Sequence, residues 1–538
     1  MRTPTIAVAA LLCVATLASC TGADPDTPET TTLRVLAGSE LADMESILRQ
    51  AAAETGVTVE FEFTGTLEGA EILASDSVLN HAYDAIWFSS NRYLEAIPDT
   101  AGLLGEQVQI MSSPVLLALS TPVVERLGWV GEPVDWRRIG EAAGAGDFTY
   151  GMTDPSASNS GFSALVAVSS ALADTGSAVD AEQVRRITPE LTEFFRGQTV
   201  SAGSSRWLTG AFTSRASGEE PGDVVDGLIN YESELLALAD DPALPDPLTL
   251  LYPTDGVVTA DYPLTLLADS DDEARAAHGR LSEYLRQPEV QRSIMETTRR
   301  RPVVPGVELS EEFGDTELLE LPFPATDDSV DALLSAYFNE IRRPSRTVYV
   351  LDTSGSMAGE RIEALRTALT DLTGGDRSTL GRYRGVRGRE EVTLLPFTAR
   401  PAPPQTFTVP ESEPAAELAR IAEAADGLTA TGSTAIYDSL LAAYRLAGEA
   451  DEADPDRFTS IVLMTDGDNA EGADLAAFQA EHADFPAAWR DIPVFTVPLG
   501  EGDREEMAEV ADSTGGAMFD PGDGVDLASV FDEIRGYQ

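Results

Sequence analysis

The chain contains no lysine, so every one of its 36 basic residues is arginine. That absence excludes a phosphate-binding-loop lysine, a Schiff-base lysine and the strand lysine of protein kinases. Only three histidines occur, His81, His278 and His482, far apart in sequence. A histidine-rich zinc site or a Ser-His-Asp triad has little to be built from. The two cysteines, Cys13 and Cys20, offer no disulfide framework. Beyond the N-terminus no stretch is long and apolar enough to be a transmembrane helix. Positive charge is scarce altogether: 91 acidic residues against 36 basic give a formal net charge of -55. Such a surface repels nucleic acid and anionic membrane and draws cations into acidic crevices; it fits high solubility or a salt-rich habitat equally well. Among so many carboxylates no pair stands out for acid/base work, and no nucleophile with its base is visible, so a non-enzymatic protein is expected. What is present is a soluble globular balance, 43% hydrophobic and 24% charged over 538 residues, enough chain for about two to four domains.

Arg2 precedes an apolar run, Ile6 to Leu17, too short to span a bilayer comfortably and of the kind found in secretory signals. It ends in Leu17-Ala18-Ser19-Cys20 and gives way to a Thr/Pro/Asp-rich stretch up to Thr32. An ordinary signal with a chance cysteine is one reading. The other is that the segment resembles the lipobox of bacterial lipoproteins, which implies cleavage before Cys20 and its diacylation. Residues 1–19 are then a signal peptide and 20–32 a flexible tether. The protein is expected on the extracytoplasmic face of a bacterial cell membrane, touching it only through the lipid. Cys13 would leave with the signal.

From Leu33 to about Gly306 strands and helices alternate. Leu33–Leu36, Val57–Phe63 and Tyr83–Phe88 read as strands, the second alternating apolar and polar residues; Met44–Ala53 has helical spacing. Strand-helix-strand at this spacing implies parallel units. A second set begins near Val115–Leu119 and includes Phe148–Met152, then Thr153-Asp154-Pro155 through Ser160-Gly161 at the start of an apolar helix. The hydroxyls and N–H groups at that helix start suit an anion or carboxylate, and equally suit plain capping. Together with Thr64-Gly65-Thr66, Asn230-Tyr231-Glu232, Tyr252-Pro253-Thr254-Asp255-Gly256 and Arg301-Pro302, these segments resemble bacterial extracellular solute-binding proteins, over roughly half the chain. The resemblance implies a two-lobed, type II periplasmic-binding-protein-like domain over 33–306. Val115–Leu119 and Leu248–Tyr252 would cross between the lobes. Thr64, Thr66, Ser89, Ser158, Asn159, Ser160 and Tyr231 would face the cleft and hold a small polar or anionic solute. Trp87, Tyr93, Trp136 and Trp207 fit core or rim positions better than ligand stacking. No basic residue sits inside these motifs, which leaves the ligand class open.

Residues 307–345 read as a connector, Glu/Asp/Pro-rich before a helix from Ser329 to Arg342. The apolar run Thr347 to Leu351 then ends in Asp352-Thr353-Ser354-Gly355-Ser356. A run bounded by turn residues is what a strand buried on both faces looks like, and ligands of open α/β sheets bind beyond the carboxyl ends of such strands. Taken alone the loop reads more readily as a helix cap and turn than as a metal site. Two further junctions carry oxygen ligands: Thr429 to Asp438, containing Gly432-Ser433-Thr434, and Asp466, directly after the strand Phe458–Met464 and Thr465. Glu391–Phe397 and Pro493–Leu499 complete the strands, with helices at Ala415–Ala425 and Leu527–Ile534, which predicts a parallel sheet between helices. Over 346–538 these segments resemble, in type, order and spacing, the von Willebrand factor type A (VWA) domain with its metal-ion-dependent adhesion site, implying a Rossmann-like doubly wound α/β fold. By resemblance Ser354, Ser356 and Thr434 would bind Mg2+ (or Mn2+/Ca2+) through oxygen, with Asp352 and Asp466 direct or through water. Gly432-Ser433-Thr434 stands where the family often has two glycines, which makes Thr431 the alternative to Thr434; Thr434 is preferred.

The expectation is therefore a membrane-anchored binding lipoprotein. Its VWA domain would engage a protein partner that supplies an Asp or Glu to the metal, and its two lobes would capture or sense a solute. The alternative is the substrate-binding component of an ABC-type transport system with an accessory VWA domain.

Overall fold

A computed structural model describes residues 30–74, 82–222, 224–314, 317–375, 381–500, 504–520 and 527–537. The expected signal, Cys20, most of the tether and His81 lie outside them. The first sheet is laid down by β1 (Thr31–Ala37), β2 (Val57–Phe63), β3 (Ala85–Trp87) and β4 (Leu104–Gln109). β1 lies between β2 and β3, parallel to both. The helix Glu45–Thr55, closed by Gly56 in the left-handed conformation, makes the first crossover. The chain then passes through Ile110 into a second sheet: β5 (Met111–Ser120), β6 (Tyr150–Thr153), β7 (Gln198–Ala202), β8 (Gly227–Tyr231), β9 (Leu248–Leu251) and β10 (Thr259–Ala260). It returns at Asp261–Tyr262, and β11 (Pro263–Leu267) inserts antiparallel between β3 and β4. β12 (Arg301–Pro302) finally pairs with β5 again.

These are two lobes, each an α/β sheet, but the crossings differ from those expected. Val115–Leu119 and Leu248–Tyr252 do not span the lobes; they are neighbours in the second sheet, with Leu117 opposite Leu251. Their apolar character reflects burial inside one lobe. The true crossings at Ile110 and Asp261–Tyr262 are too short to carry a pattern of their own.

Thr326 caps the helix Asp327–Ala336 by accepting from Ser329 N, and the chain runs on through Ile341 into β13 (Ser345–Asp352), β14 (Glu391–Phe397), β15 (Gln405–Thr408), β16 (Phe458–Thr465) and β17 (Val494–Pro498). The third sheet has the order β15-β14-β13-β16-β17. Alternate residues of β13 feed opposite cores. Tyr349 and Leu351 pack with Leu365, Leu369 and Phe531, whereas Val348 and Val350 pack with Ile436, Leu440 and Tyr444. Each such side chain contributes about 1.5–3 kcal/mol on burial, so helices on both faces are what the unbroken apolar run requires. The sheet is parallel except for β15, antiparallel on β14, which corrects the all-parallel expectation. The loop between Phe397 and Gln405 leaves no room for the crossover of about a dozen residues that a parallel neighbour needs.

This third unit rests on the second lobe. Tyr337 donates to Gln198 Oε1 at 3.0 Å, Arg343 Nη2 to Arg196 O at 3.2 Å, Arg215 Nη2 to Gly515 O at 2.9 Å and Ser201 Oγ to Gly536 O at 3.2 Å. The Trp207 and Tyr537 rings meet edge to face at 4.8 Å.

His482 gives the fold a pH signature. It sits in the helix Leu475–Ala483 against Tyr444, 4.6 Å between ring centroids, and Phe478. Burial, aided by Arg490, lowers its pKa to about 4, against about 6.5 in the unfolded chain. A depressed histidine is held neutral by the fold, so the unfolded chain binds more protons between these values and stability falls as pH drops from 6.5 toward 4. Between pH 7 and 4.5 the wild type should lose on the order of 2 kcal/mol more than His482→Phe, read from urea midpoints. Equal losses would refute the assignment.

Candidate functional site

β13 ends level with β16, because their register sets Leu351 beside Met464. Asp352 therefore meets Thr465, whose Oγ1 donates to Asp352 Oδ2 at 2.6 Å. Ser354 N donates to Asp352 Oδ1 at 2.7 Å and turns the chain back. The Ser354 and Ser356 hydroxyls lie 2.9 Å apart, and Ser356 donates to Asp466 Oδ1 at 2.7 Å. The loop carrying Thr434 is tied alongside: Gly355 N donates to Gly432 O at 3.0 Å and Thr431 N to Thr353 O at 2.7 Å. Gly432 takes a φ of 83°, in the left-handed region that glycine tolerates without a side-chain clash. Thr434 is buried and Thr431 exposed.

Burial pushes the Asp352 carboxyl above its ordinary range and nearby Asp466 adds to this, opposed by the bonds from Thr465 and Ser354. One residue had no sequence signal. Arg361, in the first turn of the next helix, places Nη1 2.5 Å from Asp466 Oδ2. Gly500 backs the pair, since a Cβ there would stand 2.7 Å from the Asp466 carbonyl oxygen. The donor set, two buried carboxylates bridged by hydroxyls, fits a hard divalent cation; a single guanidinium offsets only one of the two negative charges. Among the described residues no group of three or more His, Cys, Asp and Glu is arranged to hold a metal, so a cation here would depend on hydroxyls as much as on carboxylates.

The second candidate is a cavity of about 690 Å3 between the lobes, within the range of small-molecule sites. Thr64, Thr66, Ser89, Ser158, Asn159 and Tyr231 line it. Ser160 does not. Its hydroxyl lies behind the wall within 2.7 Å of Thr153 Oγ1 and 2.9 Å of Ser205 Oγ. Tyr231 of the second lobe donates to Ser89 of the first at 2.9 Å and accepts from Asn159 Nδ2 at 3.2 Å. Trp87, Tyr93 and Trp136 are core residues, but Trp207 is on the cavity wall.

Sequence reasoning missed the charged members of this site. Glu40 and Arg206 line the cavity. Behind Glu40, fully buried Arg300 reaches Asp43 Oδ2 at 2.6 Å and Glu40 O at 3.1 Å. Burial lifts the Glu234 carboxyl to about 7, with Arg300 pulling it down and Asp43 and Glu40 pushing it up. These residues come from four separated segments, which no local motif could connect.

The chain thus has two lobes around a polar cavity, followed by a doubly wound sheet with an oxygen-lined edge. Residues 33–297 match the bacterial extracellular solute-binding protein family. The periplasmic binding protein AfuA from Actinobacillus pleuropneumoniae is 14% identical, with a TM-score of 0.43 over 58% of this chain and 98% of that one. A von Willebrand factor type A structure from Catenulispora acidiphila is 19% identical, with a TM-score of 0.30 over 36% of this chain and 42% of that one. Inter-alpha-trypsin inhibitor heavy chain H4 of Homo sapiens is 30% identical over 132 residues, 24% of this chain; the chain spans 13% of that relative's length. The protein thus joins a solute-binding-protein region to a VWA domain.

Proposed function

We propose that this is an extracytoplasmic binding lipoprotein, anchored through Cys20, whose VWA domain grips a protein partner through a divalent cation while its two lobes hold a small polar or anionic solute. The observation that carries the reading is the convergence of Asp352, Ser354, Ser356 and Asp466 through contacts of 2.7 to 2.9 Å, with the Thr434 loop bonded beside them. When bound, Mg2+ would offer an open coordination position to a partner's Asp or Glu carboxylate. The chain's own residues do the rest. Asp352 and Asp466 hold the negative charge, the serine hydroxyls supply neutral oxygens, and the bonds from Ser354 N and Thr465 fix the carboxylate of Asp352. Only two carboxylates offset the cation's charge, so it stays attractive to an incoming acid group.

The test is capture of surface proteins by wild type and Asp352→Ala in Mg2+ and in EDTA. A partner held only by wild type in Mg2+ supports the reading; a partner held equally by both proteins, or in EDTA, refutes it. Anchoring has its own check: Cys20→Ser should move the protein from the membrane to the soluble fraction, and continued membrane fractionation would count against lipidation.

A second reading, solute delivery to a membrane permease, is favoured by the polar cavity and the match to solute-binding proteins. Loss of uptake of one solute on deletion of the protein, restored equally by wild type and Asp352→Ala, would favour it over adhesion.

A further inference from the structure

The cavity between the lobes has a third wall. Arg384, Asp520 and Tyr537 of the VWA domain line the same space as Thr64, Ser89 and Asn159. The approach is close. Tyr537 stands edge-on to Trp207 of the second lobe, and a Cβ on Gly203 would come within 2.8 Å of the Tyr537 ring. The bonds from Arg215 to Gly515 and from Ser201 to Gly536 attach the VWA domain to the second lobe. The first lobe, carrying Thr64 and Glu68, faces both across the cavity.

The chemistry of the wall narrows what fits. The helices Thr66–Ala74, Asn159–Ala173 and Ser205–Ser217 all start at the cavity, presenting N–H groups and partial positive charge. Asn159 is 2% exposed; its Nδ2 is used on Tyr231, while its Oδ1 is buried without a hydrogen-bond partner. A buried acceptor of this kind calls for a donor on whatever occupies the site. Arg206 and Arg384 are opposed by Glu40, Glu68 and Asp520 on the same wall, which disfavours a polyanion. The fitting solute has one anionic group and hydroxyl or ammonium donors.

We propose that the VWA domain completes the solute site, Arg384 and Tyr537 acting as specificity-determining residues, so that the solute is held tightly only between the lobes and the docked VWA domain. This rests on the solute-binding reading given above. Coupling of this kind is reciprocal: the solute stabilises the docked arrangement to the same degree that docking tightens the solute.

The test is calorimetric titration of the full chain with inorganic phosphate, gluconate and L-serine, for wild type and for Asn159→Ala, Arg384→Gln and Tyr537→Ala. Wild type should bind at least one of the three, and each variant should weaken that binding by about tenfold or more, 1.4 kcal/mol. Arg384→Gln shortens the side chain and removes its charge but keeps the unbranched apolar stem and an amide donor, so a wild-type melting curve for it separates lost contact from lost folding. If Asn159→Ala loses binding while Arg384→Gln and Tyr537→Ala bind as wild type does, the third wall is refuted and the solute reading stands. If wild type binds none of the three, the solute reading fails and takes this inference with it.

Discussion

Asp352→Ala should unfold at the same urea concentration in Mg2+ and in EDTA, whereas wild type should gain about 2.7 kcal/mol once free Mg2+ exceeds its Kd a hundredfold. The substitution also shifts the metal-free baseline in two directions. Ser354 N and the Thr465 hydroxyl lose their acceptor, at about 1–3 kcal/mol for each donor left buried and unpaired. Against that, the repulsion between Asp352 and Asp466, which helps raise the Asp352 pKa, disappears. Comparing Mg2+ with EDTA inside each protein cancels both effects and leaves only the metal-linked increment. An increment that survives in Asp352→Ala would place the cation elsewhere.

Glu390→Ala should be the most destabilising single change in the VWA domain, by about 3–5 kcal/mol. Glu390 lies directly ahead of β14 and is buried between two arginines from distant parts of the chain. Arg342, at the end of the connector, donates at 2.5 Å, and Arg535, in the last helix, donates to both carboxylate oxygens at 2.7 Å. The side chains are 2% to 4% exposed, so solvent cannot take over when the carboxylate is removed. Burial alone would raise the Glu390 pKa; Arg535 and Arg342 outweigh it and hold the carboxyl below its ordinary value. The alanine variant leaves two guanidinium groups facing each other in a dry site. Urea unfolding of Glu390→Ala measures the loss, and replacing all three partners together by apolar residues should recover most of it. A loss below about 1 kcal/mol in the single variant would mean that water enters and that the triad is no more than a surface pair.

The elements of the VWA domain were legible because their signals are local. Glu391–Phe397 alternates between two buried faces as its strand does, and the run from Thr347 ends where the polar loop begins. The edge strand Gln405–Thr408 was missed, since three exposed residues around the one buried side chain, Phe407, leave no period to read. In the first region, Val115–Leu119 and Leu248–Tyr252 were correctly apolar but wrongly placed. Composition shows that a strand is buried and says nothing of which sheet buries it.

The same division runs through both sites. Asp352, Ser354 and Ser356 stand at alternate positions of one loop, and the order of Thr434 and Asp466 behind them is written in the chain; so are the hydroxyl-rich turns at Thr64 and Ser158. Those placements depend only on strand ends and helix starts. Tertiary structure alone brought Arg361 onto Asp466, set Arg300 behind Glu40, moved Ser160 behind the cavity wall and put Arg384 and Tyr537 across from Thr64. Each of these depends on contacts between segments far apart in sequence, decided by how sheets and domains pack, and hydrophobic period and turn chemistry carry no record of that.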